Sequence, residues 1–272
     1  MRRIAFYGKG GIGKSTIAAN FSALMAKKGN RVLHIGCDPK MDSSRLLIGD
    51  NIPSVLEVLQ QKSTVRREDI LFSGCFDISC VESGGPSAGQ GCAGLGITIT
   101  MEHLAELGIL EESWDYIVYD VLGDVVCGGF SAPMRKRLVD TVYVVTSANF
   151  MALYAANNIL EGIKTFQING AALGGLIHNH YSGLWDATIL NEFSELVKCP
   201  VVGVIEESKE LKVADFCRKT LAETQPDSKA FAQFVHLAER IENGEHFLPQ
   251  PVKKEELELF RKRIHLKSEV KK

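Results

Sequence analysis

Gly8-Lys9-Gly10-Gly11-Ile12-Gly13-Lys14-Ser15 is the stretch whose reading decides the fold. It follows the apolar run from Arg3 to Tyr7, which reads as a buried strand, and runs into an expected helix from Thr16 to Ala26. Strand, glycine loop and helix in that order form the setting that a phosphate-binding loop, G-x-x-x-x-G-K-[ST], requires. Glycines let consecutive backbone N–H groups turn inward onto phosphate oxygens, and the helix N-terminus adds its partial positive charge. Lys14 then reaches the β- and γ-phosphates, and the Ser15 hydroxyl ligates Mg2+. Gly8, Gly10, Gly11, Ile12, Gly13, Lys14, Ser15 and Thr16 make up the expected cradle. Gly8-x-Gly10-x-x-Gly13 also fits the dinucleotide fingerprint, with Asp38 as the acidic residue that fingerprint wants. Lys14-Ser15 decides against it, because a cation and a hydroxyl at that point serve a triphosphate and its metal.

Working outward, 272 residues suit one or two domains, and the apolar and charged fractions are those of a globular protein with a substantial core. A net charge of −2 argues against nucleic-acid binding driven by the field of the whole protein. No apolar run reaches the length of a membrane span, and Met1-Arg2-Arg3 leads straight into a strand without room for a secretory segment. A cytoplasmic protein with no membrane partner is expected. Seven cysteines in such a chain point to metal binding or buried thiols rather than a disulfide framework.

Arg31–Gly36 reads as the second strand, so strand, helix and strand form a βαβ unit with a parallel sheet. Cys37-Asp38-Pro39-Lys40-Met41-Asp42 leaves its carboxyl end, where ligands bind in open α/β sheets. Of these two carboxylates, one suits orienting or deprotonating the attacking water and the other holding Mg2+ through a water. Capping of a turn by aspartate is the plainer reading. Two short helices are expected within 51–70 and a third strand over 76–81, followed by a glycine-rich segment and a helix over 97–110. Trp114–Asp120 is an apolar strand ending in a carboxylate, the position that holds the metal in nucleotide-triphosphate machines. Beyond it, Asp124 and Cys127 lie close enough in sequence for a switch that feels the γ-phosphate at one end and moves a thiol at the other. Further strands (140–146, 171–179, 200–205) alternate with helices (151–166, 184–197, 209–219, 228–242). No internal repeat or linker is apparent. The expected fold is α/β, one doubly wound and mostly parallel sheet flanked by helices over 1–245, with 246–272 a charged helical tail that frays from 267.

Cys92 and Cys127 stand apart because both sit among glycines, which allow close backbone approach and supply N–H groups to cluster sulfurs. An iron–sulfur cube needs four thiolates. A twofold axis that brings together the same pair from two chains supplies them, and so does an intrachain set of Cys75, Cys80, Cys92 and Cys127. Spacing leaves both arrangements open. Cys37, Cys199 and Cys217 read as free buried cysteines.

The runs Tyr7–Thr16, Gly36–Lys40, Cys80–Pro86, Gly91–Gly94 and Tyr119–Phe130 strongly resemble the nitrogenase iron protein family, over roughly residues 2–245. That family includes the ATP-binding subunits of dark-operative protochlorophyllide and chlorophyllide reductases and the reductase of coenzyme F430 biosynthesis. Its fold is a P-loop NTPase of the deviant Walker A type. The resemblance implies a homodimer with one [4Fe–4S] cluster at its twofold axis, held by Cys92 and Cys127 of both chains. It implies that Lys9 reaches across to the partner's nucleotide and that Asp38 assists water attack. Asp42 and Asp120 then serve Mg2+ indirectly, Asp124 relays the nucleotide state, and Asn179 lies near the adenine. The implied activity is ATP-dependent donation of single electrons to a separate catalytic metalloprotein or tetrapyrrole-reductase complex, with ferredoxin or flavodoxin upstream. Two departures bear on partner choice. Nitrogenase members carry arginine where this chain has Leu95, and the loop Glu206–Glu210 lacks the usual Pro-Arg-Asp pattern. Both favour a nitrogenase-like reductase over a true nitrogenase iron protein. An alternative of another class is a non-redox partitioning or assembly ATPase of the same loop type.

Overall fold

The computed structural model describes residues 1–85, 93–123 and 131–270; Asp124, Cys92 and Cys127 lie outside them. Among the described residues, eight strands form one sheet: β1 (Arg2–Gly8), β2 (Val32–Gly36), β3 (Phe72–Ser73), β4 (Ser79–Glu82), β5 (Tyr116–Leu122), β6 (Thr141–Thr146), β7 (Ala172–Tyr181) and β8 (Val201–Glu206). Their order is β3-β4-β2-β5-β1-β6-β7-β8, and every pairing is parallel except β3 with β4. The chain builds outward from β1 through β2 to β4, returns to insert β5 between β2 and β1, then continues on the far side from β6. The carboxyl ends of β1, β2 and β5 therefore meet at one edge, the crevice where open α/β sheets bind ligands.

The helices are α1 (Lys14–Lys27), α2 (Arg45–Ile48), α3 (Val55–Gln61), α4 (Arg67–Ile70), α5 (Ala93–Glu106), α6 (Ala132–Arg135), α7 (Phe150–Phe166), α8 (Leu184–Val197), α9 (Lys209–Phe216), α10 (Leu221–Thr224), α11 (Lys229–Asn243) and α12 (Lys254–Val270). Period-two alternation in β1 sends Ile4 and Phe6 to one face and Ala5 and Tyr7 to the other. The first face packs against α1, α10 and α11, and the second against α5, α7, α8 and α12. Both faces are covered, which is why the central strands read as continuous apolar runs rather than alternating ones.

Two local expectations change. Strand β4 begins only at Ser79, because Cys75–Asp77 form a tight 3-10 turn in which Phe76 and Asp77 adopt positive φ (54° and 59°). The short β3 precedes that turn and pairs antiparallel with β4 across it. Helix α12 continues through 267–270 instead of fraying, held by Lys267 and Arg263 to Glu192 at 2.7 and 3.1 Å. Its apolar Leu257 and Phe260 are buried against the body.

Candidate nucleotide and metal site

The phosphate loop sits where the sequence places it, between β1 and α1. Ile12 N–H donates to Lys9 C=O at 3.1 Å to close the turn, and Gly11 and Gly13 adopt φ of 75° and 85°. Gly13 caps α1 without any side-chain acceptor, and the first turn of α1 carries no acidic residue. The free N–H groups and the positive end of the helix thus face the loop unopposed, as an anion site requires. A Cβ on Gly13 would overlap the amide of Asn179, whose Nδ2 donates to Ile12 C=O at 2.7 Å. Only glycine fits there on both counts.

Lys14 is buried, with Nζ 2.5 Å from Asp120 Oδ1. Burial opposes the Lys14 charge, but Asp120 outweighs it and the pKa rises. Burial likewise opposes the Asp120 carboxylate; Lys14, then the hydroxyls of Ser15 and Ser43, hold its pKa below the ordinary value. Ser43 Oγ donates to Asp120 Oδ2 at 2.5 Å. Asp38 is buried beside this pair, with Oδ1 accepting from Lys40 N–H at 3.0 Å. Asp42 stands on the open rim, where partial desolvation raises its pKa and the negative charges of Asp38 and Asp120 add to the shift. The carboxylates therefore share one electrostatic neighbourhood with Lys14, and a divalent cation arriving there relieves their mutual repulsion. Among the described residues no three His, Cys, Asp or Glu side chains converge as a ready-made metal site. A Mg2+ ion brought here with a nucleotide would draw on phosphates and water, with Ser15 as the candidate hydroxyl ligand.

On the far side of the loop, Gly13, Thr16, Asn179, His180 and the start of α9 line a cavity of about 210 Å³ that suits a base and ribose. Its acidic loop is self-paired: Glu206 with Lys229 at 2.8 Å, and Glu207 with Lys212 at 2.7 Å. Lys9 is half-buried in the loop itself.

Strand β5 ends beside the cradle. Gly123 N–H donates to Gly8 C=O at 3.0 Å, and a Cβ on Gly123 would lie 2.9 Å from both the nitrogen and oxygen of Gly8. Gly123, the last described residue before Asp124, therefore touches the phosphate loop. Cys80 is fully buried against the α1 face of the sheet, and desolvation pushes its thiol well above the ordinary range. Burial raises Cys75 to about 12. Among the described residues neither joins a group of three potential metal ligands. Cys37 and Cys199 are buried as expected, whereas Cys217 is exposed beyond the end of α9.

The model of the 4Fe-4S iron sulfur cluster binding proteins, NifH/frxC family, matches residues 2–267. The chain belongs to this family. It is 45% identical over 260 residues to nitrogenase iron protein 2 of Methanobacterium ivanovii, covering 95% of this chain and 97% of that one. It is 42% identical to nitrogenase iron protein 2 of Methanothermobacter thermautotrophicus, covering 96% and 97%. Among solved structures, the septum site-determining protein MinD of Pyrococcus horikoshii with Mg-ADP superposes with a TM-score of 0.69 at 21% identity, covering 88% of this chain and 95% of that one. That likeness shows the P-loop fold. As a member of the NifH/frxC family the chain is an ATP-hydrolysing, electron-donating reductase component that uses ATP, Mg2+ and a 4Fe-4S cluster. The family works as a homodimer with a separate catalytic partner. No helix among the described residues is long and apolar enough to cross a membrane.

Several site residues were not legible in the sequence. Ser43 follows Asp42 without any motif to mark it, and His34 sits inside an apolar strand. Glu82, at the end of β4, is fully buried, with Oε1 accepting from Ser44 N–H and Oγ–H, both at 2.6 Å. Desolvation lifts its pKa to about 7.

Proposed function

We propose that nucleotide occupancy is communicated to the cluster by a change of partners at Asp120. The observation that carries this reading is the buried Lys14–Asp120 pair. Lys14 must leave Asp120 to reach the β- and γ-phosphates, and Asp120, released from that pair, would serve Mg2+ indirectly. Asp42 assists at the rim, and Asp38 orients the attacking water. Asp120 lies three residues from Gly123, which touches Gly8, so a change at the phosphates is felt where the segment 124–130 begins. Asp124 relays it, and Lys9 reports on the partner subunit's nucleotide. Asn179, tied to the loop at Ile12, bounds the adenine side. Cys92 and Cys127 of both chains hold the [4Fe–4S] cluster, which when present supplies the one-electron redox couple. Electrons come from ferredoxin or flavodoxin, and the protein acts in the cytoplasm, where a reducing compartment suits free buried thiols.

We take the acceptor to be a nitrogenase-like catalytic complex rather than nitrogenase itself. Leu95 stands exposed on α5, two residues after its first, and offers no charge to a docking partner. The second reading, a true nitrogenase iron protein, is favoured by the names of the relatives. Leu95→Arg separates them: unchanged complex formation with the native partner contradicts the first. The switch itself is tested by electron paramagnetic resonance of the reduced protein. MgATP is expected to change the signal of the wild type and to leave that of Lys14→Met unchanged. A wild-type signal indifferent to MgATP contradicts the reading.

A further inference from the structure

Behind Asp120 a line of buried polar side chains crosses the α1 face of the sheet. Ser22 Oγ lies 2.9 Å from His34 Nδ1, His34 Nε2 lies 2.8 Å from Ser43 Oγ, and Ser43 Oγ lies 2.5 Å from Asp120 Oδ2. Ser22, His34 and Asp120 have no exposed surface, and Ser43 has almost none. The neighbours of this line, among them Phe21, Ile17 and Val118, are apolar core. A polar chain in such a place costs desolvation that apolar side chains would avoid, so the end it serves matters.

The direction of each hydrogen bond follows from its last member. An ionised carboxylate only accepts, so the single Ser43 proton points to Asp120. Ser43 Oγ must then accept from His34, which makes Nε2 the protonated ring nitrogen. Burial keeps the imidazole neutral, with a pKa near 4, so Nδ1 is an acceptor and takes the Ser22 proton. The line reads Ser22 O–H to Nδ1, Nε2–H to Ser43 Oγ, and Ser43 O–H to Asp120 Oδ2. Every donor points toward Asp120. The consequence is asymmetric: Oδ2 is fixed by Ser43, while Oδ1 is the oxygen that meets Lys14.

We propose that His34 is a positioning residue for the metal-facing carboxylate. Through Ser43 it holds Asp120 so that Oδ1 serves Lys14 in the nucleotide-free protein and Mg2+ with its nucleotide in the loaded one. Ser22 fixes the tautomer that makes this possible. The proposal rests on the reading that Asp120 serves Mg2+, and it adds a side chain from within β2, outside the edge loops themselves.

The test uses the intact dimer in two measurements. With 15N-labelled histidine, NMR of the wild type is expected to show His34 protonated on Nε2 and bare on Nδ1; protonation on Nδ1 overturns the proposal without any variant. Mn2+ binding to the protein–ADP complex is then titrated, alongside ADP binding without metal. His34→Leu, which removes the donor to Ser43, is expected to weaken Mn2+ about fivefold or more, the worth of one buried hydrogen bond, and to leave metal-free ADP within about twofold. His34→Gln, whose amide N–H donates to Ser43, is expected to restore Mn2+ binding to within about twofold. Unchanged Mn2+ affinity in His34→Leu, an equal loss of metal-free ADP, or a glutamine variant no better than leucine each overturns it. Asp120→Asn distinguishes the two levels. If it binds Mn2+ like the wild type, the role of Asp120 fails and the proposal with it. If it loses Mn2+ while His34→Leu does not, the proposal alone fails.

Discussion

Replacing Asp120 by alanine leaves the buried Lys14 ammonium without its 2.5 Å counter-ion and the Ser43 hydroxyl without its acceptor. Removing one partner of a buried ion pair costs about 3–5 kcal/mol, because the charge left behind remains desolvated. Removing both partners is different. Lys14→Met with Asp120→Leu deletes both charges from an apolar surround and is expected to cost less than about 1–2 kcal/mol, or to stabilise. Urea unfolding of the nucleotide-free protein measures both, and the two single variants complete a double-mutant cycle. The pH dependence follows from the directions of the two shifts. The lowered Asp120 pKa contributes stability that is present above the ordinary carboxylate range and lost as pH falls through its folded value. The raised Lys14 pKa contributes stability that is present below the ordinary lysine range and lost as pH rises through its folded value. Between about pH 5 and 9 the pair is silent in the wild type, so any slope in the cost of Asp120→Ala there comes from the Lys14 ammonium, whose charge burial alone opposes. An alanine variant within about 1 kcal/mol of wild type, or a double variant whose cost is the sum of the singles, refutes the reasoning.

Gly13→Ala places a methyl in the Asn179 amide at a φ of 85°, so it breaks the bond to Ile12 and strains the backbone. Together these are worth about 2–3 kcal/mol, and calorimetry is expected to show ATP affinity falling on the order of 30- to 100-fold. Glu82 sets a separate slope. Its pKa is lifted by burial to about 7, so its protonated form stabilises the fold, and that stability is lost as pH rises from the ordinary carboxylate range through about 7. Unfolding of Glu82→Gln is expected to lack this slope, while the wild type loses a few kcal/mol across it.

The parts of the fold that were legible in the sequence are those set by local pattern. Arg3–Tyr7 and Trp114–Asp120 are apolar because both faces of the sheet are covered, and the loop between β1 and α1 declares itself through glycines whose φ values no other residue adopts easily. Residues 76–81 misled because an alternating apolar run looks like a strand, whereas Phe76 and Asp77 are spent in a left-handed turn. The continuation of α12 depends on Glu192 in α8, which no local pattern reveals. The same holds inside the site. Asp38, Asp42 and Asp120 were visible as carboxylates at strand ends, but the hydroxyl of Ser43 and the ring of His34 acquire meaning only when β2 and β5 lie side by side. Glu82 looked like a strand residue before a glycine run, and its burial beneath Ser44 is a tertiary fact.

The number of irons per dimer, measured in anaerobically prepared protein, tests the central claim most directly. With Cys92 and Cys127 contributed by both chains, about four irons per dimer are expected. They should be lost in Cys92→Ser and Cys127→Ser and retained in Cys75→Ser and Cys80→Ser. A stable dimer that hydrolyses ATP normally without iron, or about four irons per chain that depend on Cys75 and Cys80, contradicts it.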